Sequence, residues 1–420
     1  MRSFKDLNVA YKPEDGKKRF PGVVVSIREL VNLPIVVKDF ETGIKTEQGE
    51  DRCIVAIELN GEPKKFFTNS EEMKNILSQV LPLLCLSLAL SACSRTEKRL
   101  EAHVFVPDAV CAHTPALNQG RTSTCWTYAS ASLLESDWLA GHPGDTVRLS
   151  PMYMVRQKYL NQLDAYYYSC GREEIRNGGL GHSFLRVLEE DGVLPLEAYR
   201  GRRQGSKRHD HGALLKQLKK LAEEAVKHCD LPGYRKRAVA LLDEQMGAVP
   251  DSFLYRGRSY TARSFADSLR FKAEDYVQLT SFTHHPFYTP FILEVPDNWE
   301  HQCYFNLPLD ELEQVVRRAL SAGKTVAWHG DVSEDTFSPR QGMALWTQHP
   351  VTQEMRQHEF ERFLTTDDHM MHLIGTAHDE AGRFYYLLKN SYGRYGAYAG
   401  LLYMSEDYFR AKTVSVLLRK

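Results

Sequence analysis

The change of hydrophobic period along the chain constrains its fold more than any other feature. Over residues 122–139, Trp126, Ala129, Leu133, Leu134 and Trp138 recur at three- and four-residue steps, the spacing of one helical face. Helical patterning continues over 150–163, with Ser150 as cap and Pro151 in the first turn, and then over 184–191, 214–228 and 235–247. From His369 the pattern changes. Residues 369–377 and 384–389 read as two strands, joined by the turn Asp379-Glu380-Ala381-Gly382. Helices first and strands later predict an α+β fold.

Composition sets outer limits. The chain has 420 residues, of which 43% are hydrophobic and 25% charged, which excludes a collagen, a disordered chain and a polytopic membrane protein. Its 53 Lys+Arg against 54 Asp+Glu leave a net charge of −1, so no global field steers it onto nucleic acid or anionic lipid. Eight cysteines are too few for a disulfide scaffold.

The N-terminal part reads differently from the rest. Residues 1–72 form a small β-rich module by pattern, with strands at 23–27, 35–37, 53–59 and 65–68, an Asn60-Gly61 turn and a helix from Ser70. An OB-like arrangement and a nucleic-acid role are one reading of it, although its charges are nearly balanced. Residues 73–93 look like a secretory segment. Met73-Lys74 precede an apolar run that ends Leu90-Ser91-Ala92-Cys93. This resembles a bacterial lipoprotein signal. The resemblance implies a lipid on Cys93 and an envelope location if translation begins at Met73, and a cytoplasmic one otherwise. The alternative is a buried helix between domains. Residues 94–103 read as a tether, and 104–420 as one domain without repeats.

The chemistry concentrates in three segments. In Asn118-Gln119-Gly120-Arg121-Thr122-Ser123-Thr124-Cys125-Trp126, a cysteine opens a helix behind three hydroxyl residues able to cap it. The positive end of that helix favours thiolate. Gln119 offers an amide N–H which, with the Cys125 backbone N–H, suits a developing oxyanion. Far downstream, Asp368-His369 begin one hairpin strand and Asn390-Ser391-Tyr392-Gly393 end the other, so the imidazole and the amide meet across the ladder. Each residue alone has a plainer reading: a buried small hydrophobe, a surface histidine, a turn asparagine.

Taken together, Gln119, Cys125, His369 and Asn390 stand in an order that resembles the papain-like cysteine peptidases. Further stretches are similar to the bleomycin hydrolase / aminopeptidase C branch: Leu149-Ser150-Pro151-Met152-Tyr153, Asn177-Gly178-Gly179, Ser281-Phe282-Thr283-His284-His285-Pro286-Phe287, Val295-Pro296-Asp297-Asn298-Trp299 and Val326-Ala327-Trp328. The resemblance covers about residues 104–420. It implies a papain-like fold, with a helical domain carrying the cysteine, a β-barrel-like domain carrying His369 and Asn390, and a helical insert at about 195–279. It also implies Cys125 as nucleophile, His369 as general acid/base, Asn390 as its orienter and Gln119 as oxyanion donor. Asn177, Gly178 and Gly179 would pair with the substrate backbone. Peptides are the implied substrates and a homo-hexamer the implied assembly, with no cofactor or metal.

Three departures stand out. Tyr392 occupies the place of the Trp that shields the His–Asn pair in that family. In the branch, a C-terminal tail enters the cleft and its carboxylate reads the substrate's amine; here the sequence runs only to Leu417-Leu418-Arg419-Lys420 after the last strand-like run, so endopeptidase activity becomes an expectation. Cys93 points to the envelope rather than the cytoplasm. The main rival reading is an inactive homologue that binds peptides. Smaller features carry less. His369 and His372 face opposite sides of a strand and cannot easily share a metal ion. The basic run Arg200 to Arg208 reads as a solvated loop.

Overall fold

The structure is a computed structural model that describes residues 100, 103–203, 205–348 and 350–420, together with four strands of the N-terminal part. The chain divides into two units, residues 1–96 and 97–420.

In the first unit, β1 (Val23–Val24), β2 (Val36–Thr46), β3 (Gly49–Leu59) and β4 (Glu62–Thr68) form a sheet in the order β1-β4-β3-β2. Leu59 pairs with Glu62, so two residues close the β3–β4 hairpin where Asn60-Gly61 signals a turn. Strands β2 and β3 are much longer than the patterns at 35–37 and 53–59 suggest. The consecutive charges Glu50-Asp51-Arg52 precede the apolar run of β3, and Lys38, Asp39 and Glu41 interrupt β2, so a search for apolar runs stops short of both strands. Among the described residues these strands form one four-stranded sheet. The helix expected from Ser70, the apolar run at 81–92 and Cys93 lie outside the described residues.

The second unit begins with β5 (Phe105–Val110), followed by α1 (Cys125–Gly141), α2 (Pro151–Tyr168), α3 (Gly181–Glu190), α4 (Gly212–His228) and α5 (Leu231–Met246). A hairpin of β6 (Phe253–Tyr255) and β7 (Arg258–Tyr260) then leads to α6 (Ala262–Leu269). The insert at 195–279 is therefore helical only in part. Next come β8 (Tyr276–Thr280), β9 (Pro290–Ile292), β10 (Cys303–Asn306), α7 (Leu309–Ser321), β11 (Val326–Gly330), β12 (Phe337–Ser338), β13 (Met343–Ala344) and α8 (Gln353–Glu361). The chain continues with β14 (His369–Asp379), β15 (Phe384–Lys389), β16 (Leu401–Ser405), α9 (Glu406–Lys412) and β17 (Thr413–Arg419).

One mixed sheet runs β12-β13-β16-β15-β14-β11-β17-β8-β10-β9, with β5 added against β14. Its two faces follow the period of two. Ala327 and Met370 face a core shared with Trp126, Tyr159 and Phe184 of the helices. Val326, Trp328, Met371 and Leu373 face a second core built with α7 and α9. Helix α1 is buried from Cys125 to Ser136. A helix buried on all sides shows little amphipathic contrast, and its polar residues must find partners inside. His372 supplies one, its Nδ1 lying 2.6 Å from Ser132 Oγ.

Candidate active site

Cys125 is the first residue of α1 and is buried. Thr124 holds the N-cap position, yet its side chain caps nothing. This departs from the expected capping. The Thr122 and Thr124 hydroxyls bond each other at 2.6 Å, and Thr122 Oγ1 donates to the Gln119 carbonyl at 2.8 Å, so they shape the loop. No side chain caps the Cys125 end of the helix, which leaves its positive terminus open to an anion.

Gln119 is fixed on that loop. Ser391 Oγ donates to its Oε1, and its Nε2 donates to the Thr122 carbonyl. A primary amide has two N–H groups, so one is left for a ligand. Backbone bonds from Gln119 N to Ser391 O (2.9 Å) and from Gly393 N to Leu117 O (2.9 Å) join the cysteine loop to the asparagine loop. Gly120 has φ +70°, and a Cβ there would lie 2.4 Å from the His209 carbonyl oxygen. Only glycine fits this turn, which the end of the basic loop covers.

His369 opens β14 opposite Gly330 of β11. Its Nε2 lies 2.8 Å from Asn390 Oδ1. The Ser391 backbone N–H donates to the same oxygen at 2.7 Å, which sets the amide's orientation. His369 Nε2 must then carry the proton, and Nδ1 keeps its lone pair. The Tyr392 ring centroid lies 5.4 Å from that of the imidazole. Met370, the next residue, makes a backbone hydrogen bond to the Cys125 thiol. The structure thus brings Gln119, Cys125, His369 and Asn390 to one place.

Burial pushes the Cys125 thiol up to about 12, the Met370 and Trp126 backbone bonds work against it, and the Asp297 and Asp367 charges add to it. Burial pushes His369 down to about 4, against the Asn390 hydrogen bond. The expectation that the helix terminus favours thiolate is therefore not met. Desolvation outweighs it, and both groups are neutral at pH 7.

Asn177, Gly178 and Gly179 border the same helix start. Trp126 Nε1 donates to the Asn177 carbonyl at 3.1 Å, Tyr159 OH donates to Asn177 Oδ1, and Lys158 Nζ donates to the carbonyls of Arg176 (2.9 Å) and Gly178. A Cβ on Gly179 would sit 3.1 Å from the Trp126 indole. Reading the sequence missed a polar group here: Lys158, His329, Asp297 and Asp367. Asp367 accepts from His329 Nε2 at 2.6 Å and from the Asp297 backbone N–H at 2.8 Å. The Asp in Val295-Pro296-Asp297-Asn298-Trp299 was the available signal.

Elsewhere, His284 Nε2 and His285 Nε2 reach Glu294 at 3.1 and 2.7 Å. Gln357 Nε2 lies 3.0 Å from His284 Nδ1. No disulfide joins the described cysteines, of which Cys170, Cys229 and Cys303 are exposed. Among the described residues no helix is long and apolar enough to cross a membrane.

Residues 254–420 match the Peptidase C1-like family. That segment runs from β6 to the end of β17 and contains His369 and Asn390. Residues 21–82 match a domain of unknown function, DUF8468, which extends past Met73. The fold of the whole peptidase-like unit is papain-like. The crystal structure of PepW from Lactobacillus rhamnosis HN001 shares it, with a TM-score of 0.60 and 17% identity over 83% of this chain and 91% of that chain. No curated protein matches the sequence.

Proposed function

We propose that the chain is a cysteine peptidase of the bleomycin hydrolase / aminopeptidase C type, with Cys125 as nucleophile. The observation that supports this most is the His369–Asn390 hydrogen bond of 2.8 Å, made by the nitrogen that leaves Nδ1 free on the strand whose next residue bonds the Cys125 thiol. In this reading Cys125 Sγ attacks a peptide carbonyl as its proton passes to His369 Nδ1. The oxyanion is met by the Cys125 N–H and the second N–H of Gln119. His369 returns the proton to the departing amine, and water then cleaves the thioester. Asn390 holds the ring in place, and Tyr392 excludes water from their hydrogen bond. The segment 177–179 offers backbone to an extended substrate.

The test is Cys125→Ala, compared with the unaltered chain on fluorogenic peptides under reducing conditions. Loss of turnover with an unchanged melting temperature is expected. Retained turnover would refute the assignment. An inactive peptide-binding homologue is the second reading, and absence of turnover by the unaltered chain would favour it.

For location, the Leu90-Ser91-Ala92-Cys93 segment supports lipid attachment. Metabolic labelling with an alkyne fatty acid should mark the protein and fail in Cys93→Ala. Equal labelling of both would remove this reading.

A further inference from the structure

The Asp297 side chain is an acidic group set against the proposed substrate-pairing segment. A Cβ added to Gly178 would fall 2.1 Å from both Asp297 Oδ1 and Oδ2. The carboxylate therefore lies against the Gly178 α-carbon, on the segment proposed to pair with the substrate. It also bears on the nucleophile, since its charge is the first electrostatic influence on Cys125.

The loop that carries Asp297 is built to hold it there. Asn298 Nδ2 donates to the carbonyls of Leu293 and Gln302, both at 2.9 Å, and Asn298 Oδ1 accepts from Gln302 N at 2.9 Å. Arg176 donates to the Pro296 carbonyl at 3.1 Å, which ties the loop to the glycine segment. The Asp297 N–H is held by Asp367, itself fixed by His329. Every strut grips the backbone or a neighbour, and among the described residues none donates to the Asp297 carboxylate itself. Of the nearby cations, Lys158 directs its ammonium to the Arg176 and Gly178 carbonyls, and Arg176 gives its guanidinium to the Pro296 carbonyl and to Glu174. Burial, then Asp367, raises the Asp297 carboxyl to about 6, against the opposing influence of Lys158, His329 and Arg176, none of which donates a hydrogen bond to it.

A half-buried carboxylate without donors is completed by a cation. The cation that a peptide can bring beside its first carbonyl is its own α-ammonium. We propose that Asp297 is a specificity-determining residue that binds the free amino terminus of the substrate and admits one residue on that side of the cleavage point. This deepens the peptidase reading and rests on it. It runs against the expectation of endopeptidase activity.

The test uses the full chain and two probes, leucinamide and N-acetylleucinamide, as protectants of Cys125 against iodoacetamide. It also uses two fluorogenic leucyl substrates, with free and acetylated amines. Leucinamide should protect at least about 10-fold better than its acetylated form, and Asp297→Asn should erase that difference. The free-amine preference in kcat/KM should fall on the order of 10- to 100-fold in the same variant. The isosteric amide preserves shape, and an unchanged melting temperature reports an intact fold. Equal protection by both probes, or an unchanged preference in Asp297→Asn, would overturn the proposal. If the unaltered chain cleaves neither substrate, the peptidase reading fails, and the protection experiment still decides the amine site.

Discussion

Asn390 Oδ1 takes two hydrogen bonds at once, from His369 Nε2 at 2.8 Å and from the Ser391 backbone N–H at 2.7 Å. The second bond keeps the amide from flipping, so the first always presents oxygen to the ring. The imidazole is thereby held in the tautomer that offers Nδ1 as a base. Asn390→Ala frees the ring to rotate and to change tautomer. Its kcat should fall roughly 100-fold with KM changed far less, because orientation acts on proton transfer. Steady-state kinetics on one peptide substrate measures this, and a pure KM effect would count against it.

The acid side of the pH–rate profile follows from His369. Burial lowers it from 6.5 to about 4, and the ring acts as a base only when neutral. Activity should therefore persist below pH 6 and fall as pH drops through about 4. A profile of kcat/KM between pH 3 and 8 checks this. An acid limb near 6.5 would show that the ring is solvated rather than buried.

Stability should fall over the same range. His209, His211 and His369 are each lowered to about 4, chiefly by burial. Below 6.5 the unfolded chain takes up protons at these positions, and the folded chain does so only near 4. The unfolded state binds more protons across that window, so stability is lost as pH falls through it. Melting temperatures from pH 7.5 to 4 should decline, most steeply below 6.5.

Gly120 joins the cysteine loop to the insert. With φ +70° and the His209 carbonyl 2.4 Å from any Cβ, Gly120→Ala meets both backbone strain and a clash with main chain. Strain alone costs about 1–2 kcal/mol. The variant should melt lower and lose turnover more than stability, because Gln119 and Cys125 flank the disturbed turn. Calorimetry with parallel kinetics separates the two effects.

Much of the site was legible because chemistry here is written in local residue types. A cysteine at a helix start and a His and an Asn on paired strands survive as patterns. The insert was legible as helices α4 and α5, and its hairpin of β6 and β7 was not, since three-residue strands carry no period. The long β2 and β3 were underestimated for a related reason, because charged residues precede or interrupt their apolar runs. Asp297 stood in a stretch singled out by the resemblance, but its contact with Gly178 escaped because that glycine belongs to a distant segment.

The sequence by itself determined the periods that separate helices from strands, the order of Gln119, Cys125, His369 and Asn390, and the glycines that turns and close approaches require. These depend on residues near one another in the chain. The ionisation of Cys125 and His369, the use of the Thr122 and Thr124 hydroxyls in the loop rather than the cap, and the placing of Asp297 on Gly178 were decided only by tertiary structure. Desolvation and hydrogen-bond competition depend on what surrounds a group in space, and here the surroundings come from segments distant in the chain.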